Sequence, residues 1–441
     1  MRHRITYVLI VALLILSSTR LYSQDPAIGD WGVTIDVLRS LRAAEHVAQD
    51  ARTSALSAAL WGRRIIPIGT ESRLDFAIQG SYNWSSGQVF ANLDLARMDG
   101  LHPFVLGESS VLRTRSGRFR VADPSTFVIN APVDGLSVRL EYPAVRMELT
   151  GAYTGLQLNP VSNVRMTQAD LLEENDDSAT FAPPRAVGIV AIEFPELFAR
   201  QTVSAAVIGQ YDLRDAANSQ ETLSSGYAVF GIRGPLFGGL YHDVFGIATQ
   251  GMWEQGGQSE SYFGYLGSAR LRLFLPDFFA SRVSLQAVYS SQDDGDDSVA
   301  FENRYRPISR NRVGTAVSVA LENLLYGELS YSLRPFVRSD SLQAQRVQVQ
   351  LAGRTYFTTS DRPAALDPRT EGGSTYPGFE ADPTGRHIGT EGVVRLNARP
   401  FSDLGLGATV GLFVPTVGDP GVFTNDRGIQ FLSRLELSTR F

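Results

Sequence analysis

Between about residue 71 and the end of the chain, apolar and polar side chains alternate in one short segment after another. Leu136, Val138, Leu140 and Tyr142 alternate with Ser137, Arg139 and Glu141, and Val145, Met147, Leu149 and Tyr153 alternate with Arg146, Glu148 and Thr150. The same period recurs at Val283, Leu285, Ala287 and Tyr289 against Arg282, Ser284 and Gln286. It recurs again at Val347, Val349 and Leu351 against Arg346, Gln348 and Gln350. A period of two sends successive side chains to opposite faces of a strand, so each segment has one apolar and one polar face. Two sheets packed on a core would satisfy that pattern as well as a barrel would. Number and length decide: roughly sixteen to twenty strands of about ten residues, about eighteen in all, suit one closed antiparallel up-and-down barrel.

The final segment runs from Phe431 to Phe441. Leu435, Leu437 and Phe441 share one of its faces, while Arg434, Glu436, Ser438 and Arg440 share the other. At the opposite end, Arg2 and Arg4 precede an apolar run from Tyr7 to Leu16, then Ser17 and Ser18. That order predicts a signal peptide over residues 1–23, cut after Ser23 and too short for a comfortable spanning helix. A chain with a secretion leader and a terminal strand closing on an aromatic residue resembles the bacterial outer-membrane β-barrels. The resemblance implies an all-β transmembrane barrel in the outer membrane, in contact with its lipid. It also assigns Leu435, Leu437 and Phe441 to the segment read by the barrel assembly machinery. It names no solute.

The connections fit the same asymmetry. Short turns occur at Tyr142-Pro143-Ala144, Phe194 to Phe198, Gly234 to Phe237, Leu275 to Phe279 and Arg399 to Asp403. Proline there stops ladder pairing, and the neighbouring aromatics suit a membrane interface. The opposite connections, Leu156 to Arg185, Gln292 to Asn311 and Asp361 to Ile388, are long and polar. Because the last strand ends in the periplasm, the short turns belong to the periplasmic rim and the long loops to the outer face.

Composition removes several chemistries. All 40 basic residues are arginine, which fits a GC-rich coding bias and leaves no Schiff base or phosphate-loop lysine. There is no cysteine, hence no disulfide, thiolate or lipid-anchored terminal Cys. Loss of Arg2, Arg4 and Arg20 with the leader makes the formal charge of −6 three units more negative. None of the five histidines is spaced as a metal ligand. Asp293-Asp294-Gly295-Asp296-Asp297 and the looser group Asp170, Glu173, Glu174, Asp176 and Asp177 lack an EF-hand pattern and read as solvated loops. His242 beside Asp243 is the one local acid–base pair, and a strand would put the two on opposite faces. No cofactor, metal, nucleic acid or enzymatic activity is expected.

One stretch breaks the period. From Thr34 to Leu60 the chain is alanine-rich, with Leu38, Leu41, Ala44, Ala48, Ala51, Ala55 and Ala59 near helical spacing and Thr34 placed to cap. No strand signal precedes Trp61. The expectation is therefore a helical segment over 24–70, periplasmic or plugging the mouth, and a barrel over 71–441.

If the apolar positions face lipid, their neighbours line the lumen. That bookkeeping places Arg139, Arg146, Arg270, Arg272, Arg282, Arg346, Arg395 and Arg434 inside, together with Glu141, Glu148, Glu328 and Glu436. A guanidinium turned to lipid near the midplane would cost about 2–4 kcal/mol. Inside, these arginines either favour anionic or hydroxyl-rich solutes or pair with the glutamates and brace the wall. Gly405, Gly407 and Gly411 also point inward and mark a bend or a packing contact. The leading reading is a pore for small hydrophilic, especially anionic, solutes. The alternative is a non-conducting surface barrel, an adhesin or receptor acting through its long loops.

Overall fold

The computed structural model describes residues 30–44, 51–68, 71–85, 88–174, 176, 179–215, 221–292, 303–359, 385–423 and 428–440. The predicted leader, the Asp293–Asp297 cluster and Phe441 lie outside these residues. Eighteen strands form one closed antiparallel barrel. In chain order they begin with β1 (Asp30–Ala44), β2 (Ala51–Ile68), β3 (Ser72–Ser85), β4 (Gln88–Pro103), β5 (Val111–Ala122) and β6 (Asn130–Glu141). There follow β7 (Arg146–Tyr153), β8 (Arg185–Phe198), β9 (Gln201–Asp212), β10 (Thr222–Phe237), β11 (Leu240–Gln255), β12 (Gln258–Leu275) and β13 (Ser281–Ser290). A two-residue ladder, β14 (Arg312–Val313) with β15 (Val319–Ala320), belongs to the next loop and is not part of the wall. The wall resumes with β16 (Leu324–Leu333), β17 (Val347–Thr358), β18 (His387–Ala398), β19 (Leu404–Pro415) and β20 (Gln430–Arg440). Two short helices, α1 (Gln168–Glu174) and α2 (Leu342–Gln345), lie in connections.

The expected closure occurs, at a different seam. β20 pairs with β1 from Thr34 opposite Arg440 to Ala44 opposite Gln430. The segment expected to be helical is instead the first hairpin, β1 and β2, and the wall starts at Asp30 rather than near residue 71. Alanine favours helix, but only weakly. Trp31, Val33, Ile35 and Val37 also alternate with Gly32, Thr34 and Asp36, and β20 and β3 supply ladder partners on both sides. A saturated ladder outweighs a few tenths of a kcal/mol of propensity per residue. Arg440 then stacks over Trp61 inside the seam, 4.1 Å from the ring centre.

The outer surface explains the alternation. Ile78, Leu149, Val207, Phe230 and Leu329 are exposed around the belt, and Leu435 is 59% exposed. Contiguous apolar surface on that scale suits hydrocarbon, not water. Closure also pairs backbone groups strand to strand, as a bilayer demands. Phe237, Phe278, Phe279 and Phe401 are exposed at the rim that carries both described chain ends. No helix among the described residues is long and apolar enough to cross a membrane; the strands do that work.

Candidate functional site

Following the register round the ladder puts the predicted lumen residues that lie in strands on the inner side, while Arg346 sits just before β17 at the end of α2. Many are already partnered. Arg139 faces Glu148, its Nε 2.8 Å from the carboxylate, and Arg146 reaches Glu193 at 2.6 Å. Arg113 donates to Glu141 at 3.0 Å and Arg115 to Asp99 at 2.6 Å. Arg233 also binds Glu193, Arg354 binds Glu328, and Arg434 lies 3.5 Å from Glu436. Arg272 is 3.9 Å from Asp243, while Arg270 donates to the amide oxygen of Gln286. Arg282, Arg346 and Arg395 have no carboxylate partner among the described residues. Arg346 lines a rim cavity of about 710 Å³ with Arg334 and Glu436. Most of these arginines thus pair with carboxylates and form a girdle of alternating charge.

Above the girdle the lumen is not uniformly wet. Val133, Val187, Ile189, Ile208, Val229 and Ile247 point inward from β6 to β11 and are buried. What covers them is loop. Residues 123–129, 154–174, 303–323 and 416–423 fold into the barrel and contribute Val128, Ile129, Met166, Tyr305, Ile308, Val319 and Phe423 to one apolar cluster. The 303–311 stretch starts near β13 yet meets the 123–129 loop from across the barrel. Ile308 and Ser309 N–H both donate to the Val128 carbonyl, and Tyr305 Oη donates to the Phe127 carbonyl. Gly411 gives this plug its seat, since a Cβ there would lie 3.2 Å from Ala316. That is the packing contact expected of the inward glycines.

Two polar anchors hold the plug, and neither was foreseen. Arg185, at the mouth of β8, is 0% exposed and bridges Asp170 of α1 and Asp212 of β9, each at 2.9 Å. Arg214 contacts the same two carboxylates at 2.7 Å. Asp170 also accepts from the Met166 and Thr167 N–H groups. Burial pushes the Asp170 carboxyl up, but Arg185, Arg214 and those two donors outweigh it and hold the group below its ordinary value. Asp170 is therefore a buried ion-pair partner rather than part of the solvated loop expected from the sequence. Opposite, fully buried Glu391 of β18 accepts from Thr315 and Ala316 N–H, from Arg354 and from Tyr356 Oη. Among the described residues no group of three His, Asp or Glu side chains is placed to hold a metal. His242 and Asp243 fall on opposite faces; His242 Nε2 contacts Gln201 Oε1 at 2.6 Å, away from Asp243.

The plug leaves one side uncovered. None of the described residues of β1–β4 joins the apolar cluster. The cause is a bend in the wall. The β4–β5 ladder stops at Ala96 opposite Arg118, although β3–β4 pairing continues to Ser85 opposite Gln88. Gly117, with φ +100°, pairs with Gly135 at that level, and a Cβ on either would collide with a neighbouring carbonyl. Above the glycine pair the β5–β6 hairpin leans into the lumen. Its outer side, with Arg118, Arg120 and Pro132, then faces the inner side of β2–β4 across a cavity of about 620 Å³. Arg118 stitches the break by donating to the Leu93 and Leu156 carbonyls and pairing with Asp134.

This architecture is that of the bacterial outer-membrane β-barrels, and solved channels share it. The chain is similar to Pseudomonas aeruginosa OccK2 (OpdF), solved in complex with glucuronate, at 11% identity and a TM-score of 0.56, covering 94% of this chain and 98% of that one. It is similar to OccK5 (OpdH) of the same organism at 10% identity, TM-score 0.55, over 94% and 98%. OpdO, also from P. aeruginosa, matches at 13% identity, TM-score 0.55, over 94% and 97%. At such identities the likeness is one of fold. No protein-family model and no curated protein matches the sequence.

Proposed function

We propose that the chain is an outer-membrane channel carrying small hydrophilic solutes along the open side of its lumen. One observation carries this reading: an apolar outer belt encloses a lumen in which β3 and β4 line a cavity with Gln79, Ser81, Asn83 and Asn92 and stay outside the apolar cluster. Single-channel recording of the purified protein in a planar bilayer tests it. Discrete current steps are expected. Silent bilayers from a folded, heat-modifiable barrel would instead support the second reading, a non-conducting adhesin or receptor. That alternative draws on the plug, which is packed like a protein interior.

The finer proposal is a mild preference for anions, supported by Arg282, Arg346 and Arg395 facing the lumen without a carboxylate partner among the described residues. Its strength should fade with salt, because the Debye length is about 10 Å at 0.1 M. Insertion is proposed to depend on the terminal strand, whose Leu435 and Leu437 face outward and which precedes Phe441 in the sequence. Deleting Phe441 should lower the amount of heat-modifiable barrel in membrane fractions, and an unchanged amount would remove that role.

A further inference from the structure

The cavity between β2–β4 and the bent hairpin lies on the open side, where any solute passing the plug must travel. Its volume of about 620 Å³ falls within the range of about 300–1,000 Å³ typical of small-molecule sites. Its chemistry differs from that of the girdle below. The β3–β4 wall presents Gln79, Ser81, Asn83 and Asn92. Their donors are partly spent within the wall: Asn83 Nδ2 donates to Ser81 Oγ at 2.9 Å, and Asn92 Nδ2 to Asp94 Oδ1 at 2.6 Å. Facing them, Asn163 Nδ2 donates to the Asn130 carbonyl at 3.0 Å, and Gln157 Nε2 donates to the Pro132 carbonyl.

Those bonds leave oxygens over. Gln157 Oε1 and Asn163 Oδ1 are buried and have no hydrogen-bond partner, and Gln157 as a residue is only 2% exposed. Both oxygens are shut off from the cavity itself, so the acceptors and donors that an occupant meets are mainly those of the β3–β4 wall. Of the two nearby guanidiniums, Arg118 is largely committed, while Arg120 uses only two of its five N–H groups. Arg118 serves Asp134 and two carbonyls, and Arg120 serves the side-chain and main-chain oxygens of Asn130 at 2.7 and 3.2 Å. A carboxylate solute would meet the remaining N–H groups of Arg120 but also the fixed negative charge of Asp94. A cationic solute would meet one carboxylate beside two arginines. A neutral solute rich in hydroxyls meets neither penalty, because each hydroxyl donates as well as accepts. Phe90 adds an apolar surface for the C–H face of a sugar ring.

We infer that this cavity is a binding site for neutral polyhydroxylated solutes, small saccharides or sugar alcohols, on the path through the barrel. The inference deepens the channel reading and rests on it only for the word path. Its test is equilibrium binding to the full-length, detergent-solubilised barrel, with glucose and maltose as neutral probes and glucuronate as the matched anion. Neutral sugars should bind about tenfold more tightly than glucuronate. Asn83→Leu on the wall should weaken maltose binding about fivefold, the worth of roughly one hydrogen bond. Heat-modifiable migration checks folding, and the comparison with glucuronate decides alone where the variant does not fold. Equal or tighter binding of glucuronate, or maltose affinity within twofold of the parent in the folded variant, overturns the site. A barrel that binds maltose but never conducts keeps the site and sinks the channel. A barrel that conducts but binds no neutral sugar does the reverse.

Discussion

Strands β2–β4 and β8–β11 belong to one ladder and enclose one lumen, yet their inner faces differ in kind. The first set turns Ser57, Gln79, Ser81, Asn83 and Asn92 inward, beside a cavity. The second turns Val187, Ile189, Ala206, Ile208, Phe245 and Ile247 inward, under loops. The hydrogen-bonded wall is the same in both. The difference shows that a barrel's inner surface is chosen by what will cover it. Where loops fold in, the inner face becomes core and must be apolar; where they do not, it stays wet.

The largest test of that contrast is to release the filled side. Arg185→Leu leaves Asp170 and Asp212 buried with half their compensation, a loss on the order of 3–5 kcal/mol. The 154–174 segment should leave the lumen while the barrel survives. Conductance should rise several-fold and limited proteolysis should cut within that segment. Unchanged conductance together with protection from protease would mean that the apolar contacts alone hold the plug.

Glu391→Ala attacks the opposite anchor and should do less. It strips acceptors from the Thr315 and Ala316 N–H groups, at about 1–3 kcal/mol. Noisier current and faster hydrogen exchange over 303–323 are expected, without full release. Exchange as slow as in the parent would assign that loop to its apolar contacts.

Acid should act through Asp170. Its carboxyl is held below the ordinary value, so its pairing contributes stability above the unfolded value of about 3.9 and loses it as pH falls through the lower folded one. The plug should therefore hold at pH 5 and loosen only below about pH 4, followed as step size against pH. Opening already near pH 6 would point to another titrating group.

The smallest effect belongs to the girdle. Exchanging the charges of one pair, Arg139→Glu with Glu148→Arg, should leave ion selectivity almost unchanged and cost about 0–1 kcal/mol, because the pair is partly exposed to the lumen. Converting Arg282, Arg346 and Arg395 to glutamine should lower anion preference in reversal potentials at low salt. A larger shift from the pair exchange than from the triple variant would reverse the roles assigned here.

Much of this was open to reading from the chain. The period of two, the strand at the chain's end, and the inward parity of Arg139, Glu148 and Arg434 follow from alternation, which the pleat enforces locally. The filled side also left a mark. Ala186 to Val190 and Tyr227 to Ile232 are apolar on both parities, as strands buried on both faces are. The first hairpin departs from its helical spacing because alanine spacing speaks only to local propensity, whereas β1 and β2 owe their form to partners at opposite ends of the chain. Asp170 looked like part of an acidic loop because its arginine partners come from positions 185 and 214.

By itself, then, the sequence determined the class of wall, its lipid-facing side and the parity of its charges, since each depends on neighbours within one strand. Only the tertiary structure decided which arginines are neutralised, which loops become core, and where the wall bends at Gly117 and Gly135. Those outcomes depend on contacts between residues tens to hundreds of positions apart, such as Ser309 with Asn130, and no local period encodes them.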